Sequence, residues 1–193
     1  MEFDEEYWTA RYINHATQWD VGDITTPIKE YVDQLSDKTI KILIPGCGNA
    51  HEAAYLHKQG FVNVFIIDIS TIPLVNFAKQ YPTFPADHII NMDFFQLNDQ
   101  FDLIIEQTFF CSLPPTERPN YISQMHKLLK DKGHLVGLLF DTTFDHDGPP
   151  FGGNEKTYKK LFEPLFNFDV FERCYNSIVP RFGRELFIKL SKK

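Results

Sequence analysis

The chain has 193 residues, of which 15% are aromatic and 23% charged, and its formal net charge is −7. This length predicts a single domain, residues 1–193, with a substantial core. The negative charge and the lack of a long basic run argue against nucleic acid as a partner, because phosphate contacts need a cationic face. We also expect no membrane partner, since the N-terminus lacks an apolar signal region and no apolar run is long enough to span a bilayer.

The aromatic N-terminal arm is followed by short apolar runs that alternate with helix-like segments. Five of these runs are apolar on both faces, as is typical of strands in a parallel sheet covered on both sides. They are residues 40–45, 64–69, 88–92, 101–107 and 134–140. The predicted helices between them are one capped by Asn49, a second over residues 71–81 and a third over residues 116–130.

The C-terminal part contains one more predicted helix, near residues 155–162, and then two strands, residues 168–175 and 185–190. The segment between these strands has no helical pattern, so the pair is predicted to be an antiparallel hairpin. The predicted fold class is therefore α/β. It is a doubly wound, Rossmann-like, mostly parallel sheet of seven strands that ends in a C-terminal antiparallel hairpin.

The three cysteines, Cys47, Cys111 and Cys174, lie far apart in the sequence. They form neither a metal-ligand pair nor a disulfide framework, so we predict no metal site and a reducing, cytoplasmic location. Cys47 has no evident partner that would activate its thiol and is expected to fill a small buried space. The acidic surface is compatible with a monomer.

The stretch ILIPGCGNA, residues 42–50, runs from a predicted strand into a turn that contains Gly46 and Gly48. Asp68 ends the next strand at about the 20-residue spacing expected of a ribose-binding carboxylate. A dinucleotide site would also have a third glycine for close helix packing, and position 51 is a histidine. Pyrophosphate binding is therefore disfavoured, and a nicotinamide-dependent reductase stays an alternative.

An adenosyl ligand without phosphates accounts for the same residues. Asp68 would accept hydrogen bonds from both ribose hydroxyls, and Asp93 would accept one from the adenine amino group, with Phe94 against the base. In an open parallel sheet these positions meet at the carboxyl ends of the strands, where ligands bind. S-adenosylmethionine fits this pattern. The structural alternatives are that Asp68 or Asp93 only ends a strand and that Phe94 only fills the core.

Five separated motifs then occur in order along the chain: YWTARYINHATQWDVGDITTP, LIPGCGNAHEAAYL, IDIS, DFF and GPPF. From about Tyr7 to the final strand they resemble the thiopurine S-methyltransferase superfamily, and in particular its branch of plant-type thiol and halide methyltransferases. The resemblance implies a class I methyltransferase that uses S-adenosylmethionine. It implies a small soft nucleophile as substrate: a thiol, bisulfide, a halide or a thiopurine-like aromatic thiol.

The resemblance also implies that the arm, residues 1–26, is a lid over the cofactor. Trp8, Tyr12 and Trp19 occupy matching positions, although relatives commonly carry Trp where this chain has Tyr12. Without the resemblance, the arm is explained equally well as an aromatic cluster that holds the N-terminus to the core. The remaining positions that match the family's cofactor contacts are Gly46, Asp68, Asp93, Phe94 and Gln107.

No catalytic residue is assigned from the sequence. A halide carries no proton and an acidic thiol is already partly ionised, so a dry pocket is expected to promote transfer without a strong general base. Asp145 and His146, in the loop after the fifth strand, are candidate bases for a thiol, with a solvated turn as the alternative. A non-catalytic adenosyl-binding module remains a further alternative, and it predicts cofactor binding without methyl transfer.

Overall fold

A computed structural model describes residues 3–193, so Met1 and Glu2 of the predicted arm lie outside the described residues. The α-helices in this range are α1 (Glu5–Ile13), α2 (Thr26–Asp33), α3 (His51–Lys58), α4 (Thr71–Gln80), α5 (Arg118–Leu128) and α6 (Glu155–Phe162). The strands are β1 (Ile42–Pro45), β2 (Val64–Asp68), β3 (Ile89–Asn91), β4 (Phe101–Gln107), β5 (Leu129–Phe140), β6 (Phe166–Arg173) and β7 (Glu185–Lys192). None of these helices is long and apolar enough to cross a membrane.

The strands form a seven-stranded sheet in the order β3-β2-β1-β4-β5-β7-β6. The parallel core and the antiparallel hairpin of β6 and β7 confirm the predicted fold class. The chain also divides into two compact units, the first ending at Leu97 and the second running over Asn98–Lys193. The organisation as one domain stays a prediction.

The first unit contains the parallel ladder of β1, β2 and β3. Ile42 of β1 is opposite Val64 of β2, and Ile66 of β2 is opposite Ile89 of β3. All four residues of β1 are buried, as expected for a strand covered on both faces. Ala53 of α3 is fully buried, in keeping with a helix whose small residues allow it to pack closely.

The second unit contains β4 parallel to β5, and β7 antiparallel to both β5 and β6. The predicted helix over residues 116–130 is too long in the structure, because α5 ends at Leu128 and β5 starts at Leu129. Leu129 is fully buried and lies opposite Phe101 of β4. An apolar side chain at this position fits the apolar face of a helix and a buried strand equally well. The sequence pattern alone therefore could not place the boundary between α5 and β5.

Two helices of the N-terminal region were not predicted individually. Helix α1 begins after Asp4, whose carboxylate accepts a hydrogen bond from the Tyr7 amide at 2.9 Å, and α1 carries Glu5 and Glu6 in its first turn. These are ordinary start signals for a helix. The described part of the arm, from residue 3, therefore consists of α1 and an irregular segment that leads into α2, whose first residue is Thr26.

Candidate active site

The glycine turn, residues 46–50, connects β1 to α3. Gly46, Gly48 and Ala50 all have left-handed backbone conformations, with φ values of 55°, 52° and 54°. The turn is closed by hydrogen bonds from the Cys47 amide to the Ile67 carbonyl at 3.1 Å and from the Ala50 amide to the Cys47 carbonyl at 2.8 Å. Gly46 and Gly48 adopt this conformation freely, whereas a residue with a side chain, such as Ala50, does so at a cost of about 1–2 kcal/mol.

Asp68, the last residue of β2, is hydrogen-bonded to this turn. The Gly48 amide donates to its Oδ2 atom at 2.9 Å, and the Ser70 amide donates to its Oδ1 atom at 2.9 Å. Only 8% of Asp68 is exposed. Burial raises the pKa of its carboxyl, and the hydrogen bonds from the Ser70 and Gly48 amides oppose that shift. Each carboxylate oxygen has a second lone pair, so the group can hold the turn and still accept two ligand hydroxyls.

The three aromatic residues predicted in the arm lie together. The ring centroids of Trp19 are 5.6 Å from those of Trp8 and 5.8 Å from those of Tyr12, both in edge-to-face geometry. Burial, followed by the charge of Asp68, raises the pKa of Tyr12 far above its ordinary value. Tyr12 therefore stays a neutral phenol throughout the working range of a protein.

The arm contacts the glycine turn directly. A Cβ atom built on Gly48 would be 3.0 Å from the Tyr12 hydroxyl oxygen and 3.9 Å from Nε1 of Trp19. A second contact joins the hydroxyls of Thr9 in α1 and Ser70, which lie 2.9 Å apart. The arm thus packs on the turn and on the residues that follow Asp68.

Gly48→Ala should lower the free energy of unfolding by about 1–2 kcal/mol and should also displace the arm. The new methyl group would be too close to the Tyr12 hydroxyl. The matched control is Gly60→Ala, because Gly60 is also left-handed, with a φ of 83°, but has no atom within 4 Å of the added Cβ. Chemical denaturation should show a loss in both variants, whereas tryptophan fluorescence should change only in Gly48→Ala. Equal fluorescence in the two variants would contradict the contact.

Asp93 and Phe94 come shortly after β3 and belong to the first unit. The Asp93 Oδ1 atom accepts a hydrogen bond from the Phe95 amide at 2.9 Å and caps a short 3-10 turn, Phe94–Gln96. Phe94 is 5% exposed and packs edge-to-face on Phe95. Both residues therefore have a structural role, and their contact with adenine stays a prediction.

Gln107 is the last residue of β4, as predicted, and it belongs to the second unit. Its neighbour Glu106 is fully buried and organises the turn that follows. The Glu106 carboxylate accepts hydrogen bonds from the amides of Phe109 and Phe110, at 2.8 and 2.9 Å, and from the Tyr121 hydroxyl at 2.6 Å. The sequence analysis did not single out Glu106, although an ionisable residue within the apolar run FDLIIEQ was a usable signal.

Asp145 and His146 are both exposed in the loop after β5. The His146 ring stacks on Phe144 with centroids 5.6 Å apart. This geometry agrees with a solvated turn, and no catalytic residue is assigned. Burial raises the pKa of Cys47 and of Cys111, so neither thiol is activated as a nucleophile. The described residues include no cluster of side chains suited to a metal ion.

A model of the family described as thiopurine S-methyltransferase matches residues 3–187 of the chain. The chain belongs to the thiopurine S-methyltransferase family. Thiocyanate methyltransferase 1 of Brassica oleracea is 33% identical over 190 residues, which cover 94% of this chain and 83% of that protein. Probable thiol methyltransferase 2 of Arabidopsis thaliana is 31% identical over 185 residues, which cover 92% and 81%.

The fold agrees with membership of the thiopurine S-methyltransferase family. The 1,6-didemethyltoxoflavin-N1-methyltransferase of Burkholderia thailandensis, solved with S-adenosylhomocysteine, superposes with a TM-score of 0.78 at 15% identity. The match covers 98% of this chain and 86% of that one. The resemblance stated from the motifs is confirmed, and the chain is an S-adenosylmethionine-dependent methyltransferase.

Proposed function

We propose that the methyl acceptor is a small, soft anion, with sulfur nucleophiles first and halides second. The observation that carries this proposal is the 33% identity to a thiocyanate methyltransferase over nearly the whole chain, joined by 31% identity to a probable thiol methyltransferase. Thiols, bisulfide, thiocyanate and iodide belong to this class. Aromatic thiols such as thiopurines fit the family description.

The residues of the first unit fit an adenosyl cofactor. Asp68 is a buried carboxylate that already orders the glycine turn through Gly48, and it keeps acceptor capacity for the two ribose hydroxyls. Gly46 leaves the backbone of the turn accessible at close range. We propose that Asp93 and Phe94 contact the adenine and that Gln107 supplies a further cofactor contact.

The arm provides aromatic surface for a cation. S-adenosylmethionine, when bound, supplies an electrophilic methyl group on a positively charged sulfonium. We propose that Trp8, Tyr12 and Trp19 face this cofactor, and each good ring contact with a cation contributes roughly 0.5–2 kcal/mol. Because Tyr12 remains neutral, it adds an aromatic face without adding charge.

The proposed role of the arm is also to exclude water. A small anion loses its hydration shell on entering a dry site, which makes it a better nucleophile. The same packing holds the anion and the methyl group in line. The exposure of Asp145 and His146 supports attack by an already ionised acceptor, without a protein base. The three free, buried cysteines support a reducing, cytoplasmic location.

The test is a methyl-transfer screen with labelled S-adenosylmethionine against bisulfide, an alkyl thiol, a thiopurine, thiocyanate and iodide. We expect transfer to sulfur anions. The rate with iodide or thiocyanate should be independent of pH around neutrality, whereas the rate with a thiol should follow the pKa of that thiol. A rate that follows a single protein group with every acceptor would contradict attack without a base.

Calorimetry supplies the controls for this screen. The protein should bind S-adenosylhomocysteine and should not bind NAD, because the turn lacks the third glycine of a dinucleotide site. Comparable affinity for NAD would overturn the proposed site. Binding of S-adenosylhomocysteine without transfer to any of the five acceptors would instead favour a non-catalytic adenosyl-binding module.

A further inference from the structure

Asp20, directly after Trp19, joins the arm to the start of α3 by side-chain contacts. The Asn49 side-chain amide donates to its Oδ2 atom, and Nε2 of His51 lies 2.7 Å from its Oδ1 atom. The Gly22 amide also donates to Oδ1, at 2.8 Å. Burial opposes ionisation of Asp20, but the hydrogen bonds from Gly22, Asn49 and His51 outweigh it and lower the pKa of the carboxyl.

These contacts place a carboxylate beside the start of α3, which has no side-chain cap of its own. The residue at the N-cap position is Ala50, which is left-handed and makes no side-chain capping bond. The predicted cap by Asn49 is therefore wrong, because its side chain is engaged by Asp20. A negative charge beside the first turn of a helix is favourable, since the helix dipole and the free amide groups are positive there. Asp20 supplies that charge from another segment.

The arm thus contacts the glycine turn at two neighbouring residues, Gly48 and Asn49. Tyr12 and Trp19 lie against Gly48, while Asp20 contacts the side chains of Asn49 in the turn and of His51, the first residue of α3. Closing the arm and holding the turn in its left-handed conformation therefore depend on one another. If either is lost, the other loses hydrogen bonds or packing.

We propose that Asp20 is a positioning residue for the cofactor, coupling the docked arm to the conformation of the glycine turn. This inference rests on the proposed function, in which the turn and the arm hold the cofactor. Asp20 itself does not contact the cofactor; it acts through Asn49, His51 and the segment that carries Trp19. No sequence motif indicated this role, because the partners are about thirty residues away in the chain.

Fluorescence can follow the arm directly, because the only two tryptophans of the chain are Trp8 and Trp19. In the full-length protein, Asp20→Ala should weaken S-adenosylhomocysteine binding about tenfold, as expected when hydrogen bonds to a charged group are lost. Asp20→Asn should fall between wild type and Asp20→Ala, because its amide keeps one acceptor. Both variants should also change the tryptophan emission of the free protein. Adding His51→Ala to Asp20→Ala should cause no further loss, since the two residues act as one unit.

Asp33→Ala is the matched control. Asp33 also contacts α3, through the Tyr55 hydroxyl, and pairs with Lys29 at 2.7 Å, but neither contact involves a residue of the glycine turn. This variant should keep the wild-type affinity and emission. If Asp20→Ala lowers only the melting temperature and binds S-adenosylhomocysteine as tightly as wild type, the positioning role is overturned. If the wild-type protein itself binds no S-adenosylhomocysteine, the proposed cofactor site fails instead.

Discussion

Replacing Asp68 with alanine should weaken binding of S-adenosylhomocysteine by about 2–4 kcal/mol, or roughly 30- to 1,000-fold. Two charge-assisted hydrogen bonds to the ribose hydroxyls would be lost. The Gly48 and Ser70 amides would also lose their acceptor, so the glycine turn would be less well ordered. Isothermal calorimetry on a variant whose far-ultraviolet circular dichroism matches wild type measures the effect.

The pH dependence of this binding gives an independent check. Only the ionised form of Asp68 accepts both ribose hydroxyls, so affinity is expected to be lost as the pH falls through the pKa of this group. Because burial raises that pKa, the loss should begin at a higher pH than for an exposed aspartate. Asp68→Asn should bind weakly with little dependence on pH in this range.

An unchanged dissociation constant in a folded Asp68→Ala protein would show that the carboxylate only ties the turn together. A fall in melting temperature without a fall in affinity would lead to the same conclusion. Asp93→Ala helps to separate ribose from adenine contacts. That variant should weaken adenine recognition while leaving the Gly48 hydrogen bond intact.

The strands were predictable because short runs that are apolar on both faces fit few structures other than a buried strand. Residues 42–45 and 64–68 are apolar on both faces apart from the terminal Asp68, and such short runs between turn signals are typical of buried parallel strands. The boundary at Leu129 was not predictable, because an apolar residue after a helical stripe satisfies both structures. The start of α1 could have been predicted from Asp4 and the two glutamates that follow it.

The candidate site was predicted only in part, for a related reason. The spacing of Gly46 and Asp68 follows from a local strand-turn-helix-strand unit, so the sequence contains that relation directly. The contacts of Tyr12 with Gly48 and of Asp20 with Asn49 join distant segments. No local periodicity encodes such pairs. Asn49 shows where local pattern fails: asparagine is a good helix cap, but in the structure the Asn49 side chain bonds Asp20 instead.

The arm should behave as a lid whose closure responds to the cofactor. Arg11 is the only lysine or arginine in residues 1–26, so tryptic cleavage within the arm reports on one site. Its guanidinium donates to the Ala16 carbonyl and to Gln18, and it lies over the Trp19 ring at 5.5 Å. Adding S-adenosylhomocysteine should slow cleavage after Arg11 and shift the emission of Trp8 and Trp19, because a bound ligand adds packing surface for the arm.

Deleting the arm through Trp19 should leave a folded protein that transfers methyl groups at least about 100-fold more slowly, since water enters and alignment of the reactants is lost. A protein that starts at Phe3 is the matched control, because it retains α1 and the carbonyl that accepts the Trp8 indole N–H. The assay uses bisulfide and iodide, which have different proton requirements, so a general loss with both would indicate desolvation or alignment rather than a missing base. If the truncated protein methylates both at the intact rate, the arm does not desolvate the site. The aromatic residues would then serve only to hold the N-terminus against the core.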